Sequence, residues 1–196
     1  MRETLSALFF EDTLVKKKKS TYSFMLVLSG VNDKTKNLED VLYAAGCDDA
    51  LINFRNGTAY LDFDRQAFSF EDAVISAIKA VENTSLNIKV MSVAPDYYVS
   101  ESEVAERLHL KRQTVSLWFK GERHAKNHFP APAIKLTAKS PLWRWYDVLE
   151  WLYQQKKIEN SELLEHAKLI EHINMILFDR NLAEKKYRQK IIKKLI

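Results

Sequence analysis

Three groups of side chains in this chain of 196 residues have types and spacings that bear on chemistry. Asp48, Asp49, Asp62 and Asp64 stand near the two ends of a hairpin-like segment. A metal-dependent enzyme could gather carboxylates there, but aspartates beside turns more commonly shape the turn or carry solvated charge. His124 and His128 are four residues apart, a ligand spacing on a helix, yet Pro130 argues for a loop and no cysteine lies near. Lys111, Arg112, Gln113 and Ser116 gather polar and cationic groups at the start of a short helical pattern. Glycine occurs only at 30, 46, 57 and 121, which leaves no phosphate-cradling loop, and no hydroxyl or thiol triad has a local signature. The single cysteine, Cys47, excludes an internal disulfide and a multi-cysteine zinc site and is expected to be a small buried hydrophobe. The expectation is a protein that is not an enzyme and holds neither cofactor nor metal.

Charge is distributed unevenly. Residues 1–93 carry 11 Lys/Arg against 13 Asp/Glu, whereas residues 94–196 carry 19 against 13, so a polyanion partner is expected to meet the second half. The longest apolar runs, such as Phe24 to Leu28, are too short to cross a bilayer, and the first residues carry acids where a secretory signal would not. A cytoplasmic protein without membrane contact is expected.

The elements that must position these groups follow from periodicity. After a leader (residues 1–20) ending in the run Lys16 to Lys19, YSFMLVLS (22–29) is expected to be a buried strand, and the lysines a solvated, edge-protecting leader or a phosphate-binding arm. NLEDVLYAAG (37–46) has helical spacing closed by Gly46, and DALINFRNGTAYLDFD (49–64) alternates about Asn56-Gly57, a hairpin signal. Ser69 with Asp72 caps a second helix whose face is Phe70, Val74, Ile75, Ala77, Ile78 and Val81, and LNIKVMSV (86–93) closes as a strand. The order β-α-β-β-α-β predicts an α+β chain opening with a ferredoxin-like domain over 21–94.

From Val99 the pattern changes. Ser100-Glu101-Ser102-Glu103 is a capping box that starts a helix with Val104, Ala105 and Leu108 inward. After the turn at His109-Leu110, a second helix has Val115 and Trp118 inward and Lys111, Arg112, Gln113 and Ser116 outward. Two short helices on so tight a turn, the second basic at its start, form a helix-turn-helix pattern. An extended stretch with Pro130 and Pro132 follows, and a helix begins at Tyr146-Asp147.

The ordered motifs SESEVAERLHLKRQTVSLWF, HFPAP and LWRWYDVLEWL resemble the winged helix-turn-helix of the MerR and AlpA/excisionase-like DNA-binding family, over about residues 98–153. Residues 22–93 resemble the N-terminal half of uncharacterised bacterial proteins that join such a domain to this kind of helix-turn-helix. The resemblance implies a winged helix-turn-helix DNA-binding domain over 95–155 and a sequence-dependent binder of duplex DNA, acting as a transcription regulator. An excisionase-like architectural accessory and an antitoxin-like or adaptor-type interaction protein stay open as alternatives. It places Arg112, Gln113 and Ser116 at base edges and Lys111, Lys120 and Arg123 at phosphates. The wing would supply Lys126, Lys135, Lys139 and Arg144, with Arg144 foremost because the family pattern has arginine before the tryptophan matching Trp145. Two positions depart from the pattern: His109 replaces a turn glycine where positive φ is needed, and Lys111 replaces a Ser/Thr cap.

A helical tail is expected over 156–196. Leu163, Ala167, Ile170, Asn174 and Leu177 form a seam with one polar position, for dimerisation or packing on the body of the protein. KKYRQKIIKKLI (185–196) is basic and amphipathic, open to membrane, DNA or partner contact but simplest as an exposed terminal helix. A homodimer is expected because one short recognition helix reads few base pairs, and the N-terminal domain has room for a protein or small-ligand partner. The four tryptophans, at 118, 143, 145 and 151, are expected to form the core of the smaller domain, with Trp143 partly exposed.

Overall fold

A computed structural model describes residues 18–123, 127–180 and 182–196. The chain is α+β. Its first half runs β1 (Ser20–Ser29), α1 (Leu38–Ala44), β2 (Ala50–Arg55), β3 (Thr58–Ala67), α2 (Phe70–Glu82) and β4 (Lys89–Ala94). The four strands form one sheet in the order β2-β3-β1-β4, with every neighbouring pair antiparallel.

Local chemistry accounts for each connection. Asn56 and Gly57 both take positive φ, so the two-residue turn matches the twist of β2 and β3 and sets Arg55 opposite Thr58. Gly30 follows β1 at φ 87°, and a Cβ there would stand 2.9 Å from the Asn87 carbonyl oxygen, so only glycine fits. Ser69 caps α2 by accepting from the Asp72 amide. Every second residue of β1 and β3 points into one core: Phe24, Leu26 and Leu28 meet Ala59, Leu61 and Phe63 beneath α1 and α2. On α2, Ala73 takes the buried place expected for Ile75, which is only half-buried.

The second half runs β5 (Tyr98–Val99), α3 (Glu101–Arg107), α4 (Arg112–Phe119), β6 (Trp143–Arg144), α5 (Trp145–Gln154), α6 (Glu162–Phe178) and α7 (Leu182–Leu195). β5 pairs with β6, setting Val99 opposite Trp143. Its core is aromatic. Phe129 sits within 5.1–6.2 Å, ring centre to ring centre, of Trp118, Trp143 and Trp151. Trp143, expected to be partly exposed, is fully buried at 0% and its indole N–H donates to the Pro130 carbonyl at 2.9 Å. Trp145 is the half-exposed member of the pair: β6 ends at Arg144, and Trp145 already belongs to the first turn of α5.

On α6 four of the five residues expected in the seam, Ala167, Ile170, Asn174 and Leu177, are buried against the body of the protein. Ala167 joins the aromatic core while Ile170, Ile173 and Leu177 join the core under the sheet, so a single helix packs against both. Leu163, placed in the apolar seam by its spacing, is instead exposed. Asn174, the polar member of the seam, meets the outer edge of β4: the Val93 amide donates to its Oδ1 at 2.7 Å and its Nδ2 donates to the Val93 carbonyl at 2.8 Å. The side-chain amide thereby stands in for one residue of a fifth strand and closes that edge. No helix among the described residues is long and apolar enough to cross a membrane.

Candidate nucleic-acid interface

The segment from α3 to α4 is built by its caps. Ser100 and Glu103 complete a reciprocal capping box on α3. At the other end His109 takes φ 53°, the positive value its position demands. Its amide donates to Glu106 and that of Leu110 to Ala105, so the last carbonyls of α3 are satisfied as the chain reverses. Lys111 sits at the N-cap of α4 without a side-chain cap bond. The first amides of α4 therefore lack a side-chain acceptor from that residue and can face an anion.

On α4, Val115 and Trp118 are buried against the aromatic core and fix the roll of the helix. Lys111, Arg112 and Gln113 are consequently exposed, Ser116 is half-buried, and Lys120 and Arg123 are exposed after the helix. Arg112 makes a loose 3.5 Å ion pair with Glu101 while its side chain stays 64% exposed. Such a pair contributes little and is easily exchanged for another anion.

The second exposed basic region is a hairpin. Ile134 bridges Leu142, and the Leu142 carbonyl also accepts from the Ala133 amide. The intervening loop exposes Lys135, at φ 56°, and Lys139. The path into this hairpin is held by two indoles, since Trp151 Nε1 donates to the Asn127 carbonyl at 3.0 Å as Trp143 does to Pro130. Lys126, another expected wing contact, and His124 lie outside the described residues, as do Lys16 and Lys17 of the leader run. His128 is exposed.

Arg144 has surroundings that its spacing did not reveal. Its Nε and one terminal nitrogen bind the two carboxylate oxygens of Glu171 on α6 at 2.8 and 2.9 Å, and the other terminal nitrogen lies 3.4 Å from Asp147. Glu171 is only 3% exposed. The hydrogen bonds that Arg144 donates to Glu171 raise the guanidinium pKa further, and the burial of Asp147 raises that of its carboxyl. The charge of Arg144 is thus balanced from within, by one carboxylate of α6 and one of α5. Position in a motif points to the arginine, whereas nothing local marks Glu171, 27 residues later, as its partner.

Two further arginines went unmarked by the motif. Arg107 lies 5.2 Å from the centre of the Trp145 ring, and burial lowers its pKa. Arg65 occupies an inward position of β3 among apolar neighbours. It binds both oxygens of Asp49 at 2.8 Å and the Gly46 carbonyl at 2.6 Å. An arginine on the buried register of an alternating strand is the signal that reveals it. Of the other strand-end aspartates, Asp62 accepts from Asn53 at 2.9 Å, Asp64 accepts from Ser23 at 2.6 Å, and Asp48 is exposed. Among the described residues no three His, Cys, Asp or Glu side chains converge as metal ligands would. Cys47 is buried beside Arg65, and burial pushes its thiol pKa up.

No protein-family model, curated protein or solved structure matches the chain.

Proposed function

We propose that the protein binds duplex DNA in a sequence-dependent way, as a dimeric transcription regulator made of a ferredoxin-like module and a winged helix-turn-helix tied together by α6. The observation that carries this reading is the exposed start of α4. Arg112 and Gln113 project from a short helix whose opposite face is locked by Val115 and Trp118, and no side chain caps its first amides. A helix end without a side-chain cap, with cations and a bidentate donor, suits a base edge flanked by phosphate. Lys111, Lys120, Arg123, Lys135 and Lys139 supply exposed charge for phosphates, and Lys126 joins them by sequence position. Arg144 leaves the contact set in this reading: its charge is already balanced, so it positions β6 and α5 against α6.

Selection of bound genomic fragments, followed by fluorescence anisotropy on a selected duplex and a scrambled one, tests the proposal. Arg112→Ala is expected to cost about 1–3 kcal/mol of discrimination between the two duplexes. Lys139→Ala is expected to weaken both alike and to reduce the salt slope by about one. Absence of binding to any duplex at low salt overturns the reading. Equal losses for both variants on both duplexes overturn the division between base and phosphate contacts.

A further inference from the structure

The two edges of the sheet are treated differently. β4 is closed by Asn174, whereas β2, the opposite edge in the order β2-β3-β1-β4, borders a groove of about 670 Å³ between itself and α1. Tyr43, Leu51 and Phe54 along this groove are exposed, Leu51 at 73%. Asp33, Glu39, Asp40 and Asp48 also line it, all are exposed, and none forms an ion pair among the described residues. Lys34 and Lys36 in the same loop do not line it. The groove therefore combines apolar surface with negative charge at an uncovered strand edge, a combination that attracts a basic amphipathic segment.

The same chain carries such a segment. α7 has six Lys/Arg against one Glu, and Tyr187, Ile191 and Leu195 recur every four residues with Ile192 beside them. All four apolar side chains are exposed, so the stripe is not covered by the rest of the chain. Its 14 residues span about 21 Å, and the six residues of β2 span about 20 Å. A chain's own α7 begins at the wrong edge. It follows α6, whose Asn174 lies on β4, and it is tied there by Arg180 to Glu82 and by Arg188 to Asp179.

We propose that α7 of a second copy docks in the groove between α1 and β2, each chain giving its helix and receiving the other's. The exchange is self-complementary and closes as a dimer. It stands apart from DNA binding, because it uses neither α4 nor the 133–142 hairpin. Residues 1–17 are a poorer occupant, since their three basic and three acidic residues cancel and offer the carboxylates no net charge.

Sedimentation of the full chain across protein and salt concentration tests the proposal, with two pairs of charge reversals: Glu39→Lys with Asp40→Lys in the groove, and Lys190→Glu with Lys193→Glu on α7. The unaltered chain is expected to dimerise and to dissociate more readily at high salt. Either reversed chain alone is expected to lose at least roughly tenfold in dimer affinity. An equimolar mixture of the two is expected to recover a heterodimer, because the unaltered α7 of one chain then meets the unaltered groove of the other, and at the second site the introduced glutamates face the introduced lysines. That recovery also excludes misfolding as the cause of the separate losses. A monomeric unaltered chain, dimers indifferent to both reversals, or a mixture that stays monomeric overturns the proposal. So does an α7 reversal that abolishes DNA binding and leaves the dimer intact.

Discussion

The two halves of the molecule build their cores from different materials. Under the sheet, aliphatic residues spread over four strands and three helices exclude water, with Phe24 stacked on Phe63 as a local addition. Behind α3 and α4 there is too little chain for that. The second core instead gathers Trp118, Phe129, Trp143 and Trp151, whose ring systems reach across gaps that leucines would leave open. The difference in material brings a difference in polar chemistry. The first core adds no polar atoms with its aliphatic side chains, while each buried indole brings an N–H that needs an acceptor. Trp143 and Trp151 meet that requirement with carbonyls of the 127–130 segment and so convert an irregular stretch into a defined path.

The largest expected effect follows from this contrast. Trp143→Ala removes a fully buried ring from the smaller core and is expected to cost about 3–5 kcal/mol. Leu26→Ala in the sheet core is expected to cost about 2–5 kcal/mol. If the contrast is right, chemical denaturation followed by tryptophan fluorescence shows the indole signal of Trp143→Ala melting first, with the far-ultraviolet signal of the sheet persisting. Simultaneous loss of both signals would break the distinction between the cores and make α6 a rigid coupler of a single cooperative unit.

Next come the contacts by which α6 joins the halves. Arg144→Ala strands Glu171 in a buried place, and the expected loss is about 2–3 kcal/mol, below the range for a fully buried pair because the arginine is 40% exposed. Arg144→Leu combined with Glu171→Leu should recover most of it, since no charge is then left without a partner. A double variant as weak as the single one would show that burial of the pair was not the cause. Asn174→Leu leaves both polar groups of Val93 unpaired at the β4 edge and is expected to cost about 1–3 kcal/mol. Faster hydrogen exchange at the Val93 amide is the check, with exchange in α3 and α4 unchanged.

The smallest effect separates the halves by pH. His166 on α6 lies 4.1 Å from Phe70 and edge-on to Tyr22, and burial depresses its pKa below the usual histidine value. The folded state accordingly takes up its proton at lower pH than the unfolded chain. This contribution is fully retained above about pH 7, declines as pH falls through the unfolded value near 6.5, and levels off below the folded pKa. His166→Gln should flatten that part of a stability profile measured from pH 7.5 to 5, and an unchanged slope would assign it to the carboxylates instead.

Much of this was legible in the chain itself because the information is local. A pair such as Asn56-Gly57 specifies its turn through two φ values, Ser100 and Glu103 cap one helix between them, and His109 marks a left-handed turn whatever lies around it. The exposed start of α4 was legible for the same reason, since helical spacing puts Gln113 opposite the face of Val115 and Trp118, with Arg112 at the side of that face in the first turn. Trp143 and Trp145 mark where such reasoning stops: strand alternation would put them on one face, but β6 ends at Arg144, so Trp143 is buried against Phe129 while Trp145 opens α5 half-exposed. Its place in the motif marks Arg144 as a free charge, whereas it is balanced by a glutamate that only the packing of α6 brings within reach.

Caps, hairpin and periodic faces are features that one or two turns of chain decide, and the acidic first half and basic second follow from composition alone. Only the tertiary structure decided which charges remain available and which are paired, and that one helix seals the β4 edge and bridges two cores. The physical reason is range. Backbone preference and amphipathic period act over a few residues, whereas the pairing of Arg144 with Glu171 and of Val93 with Asn174 requires segments 27 and 81 residues apart to be brought together by burial of the surfaces around them.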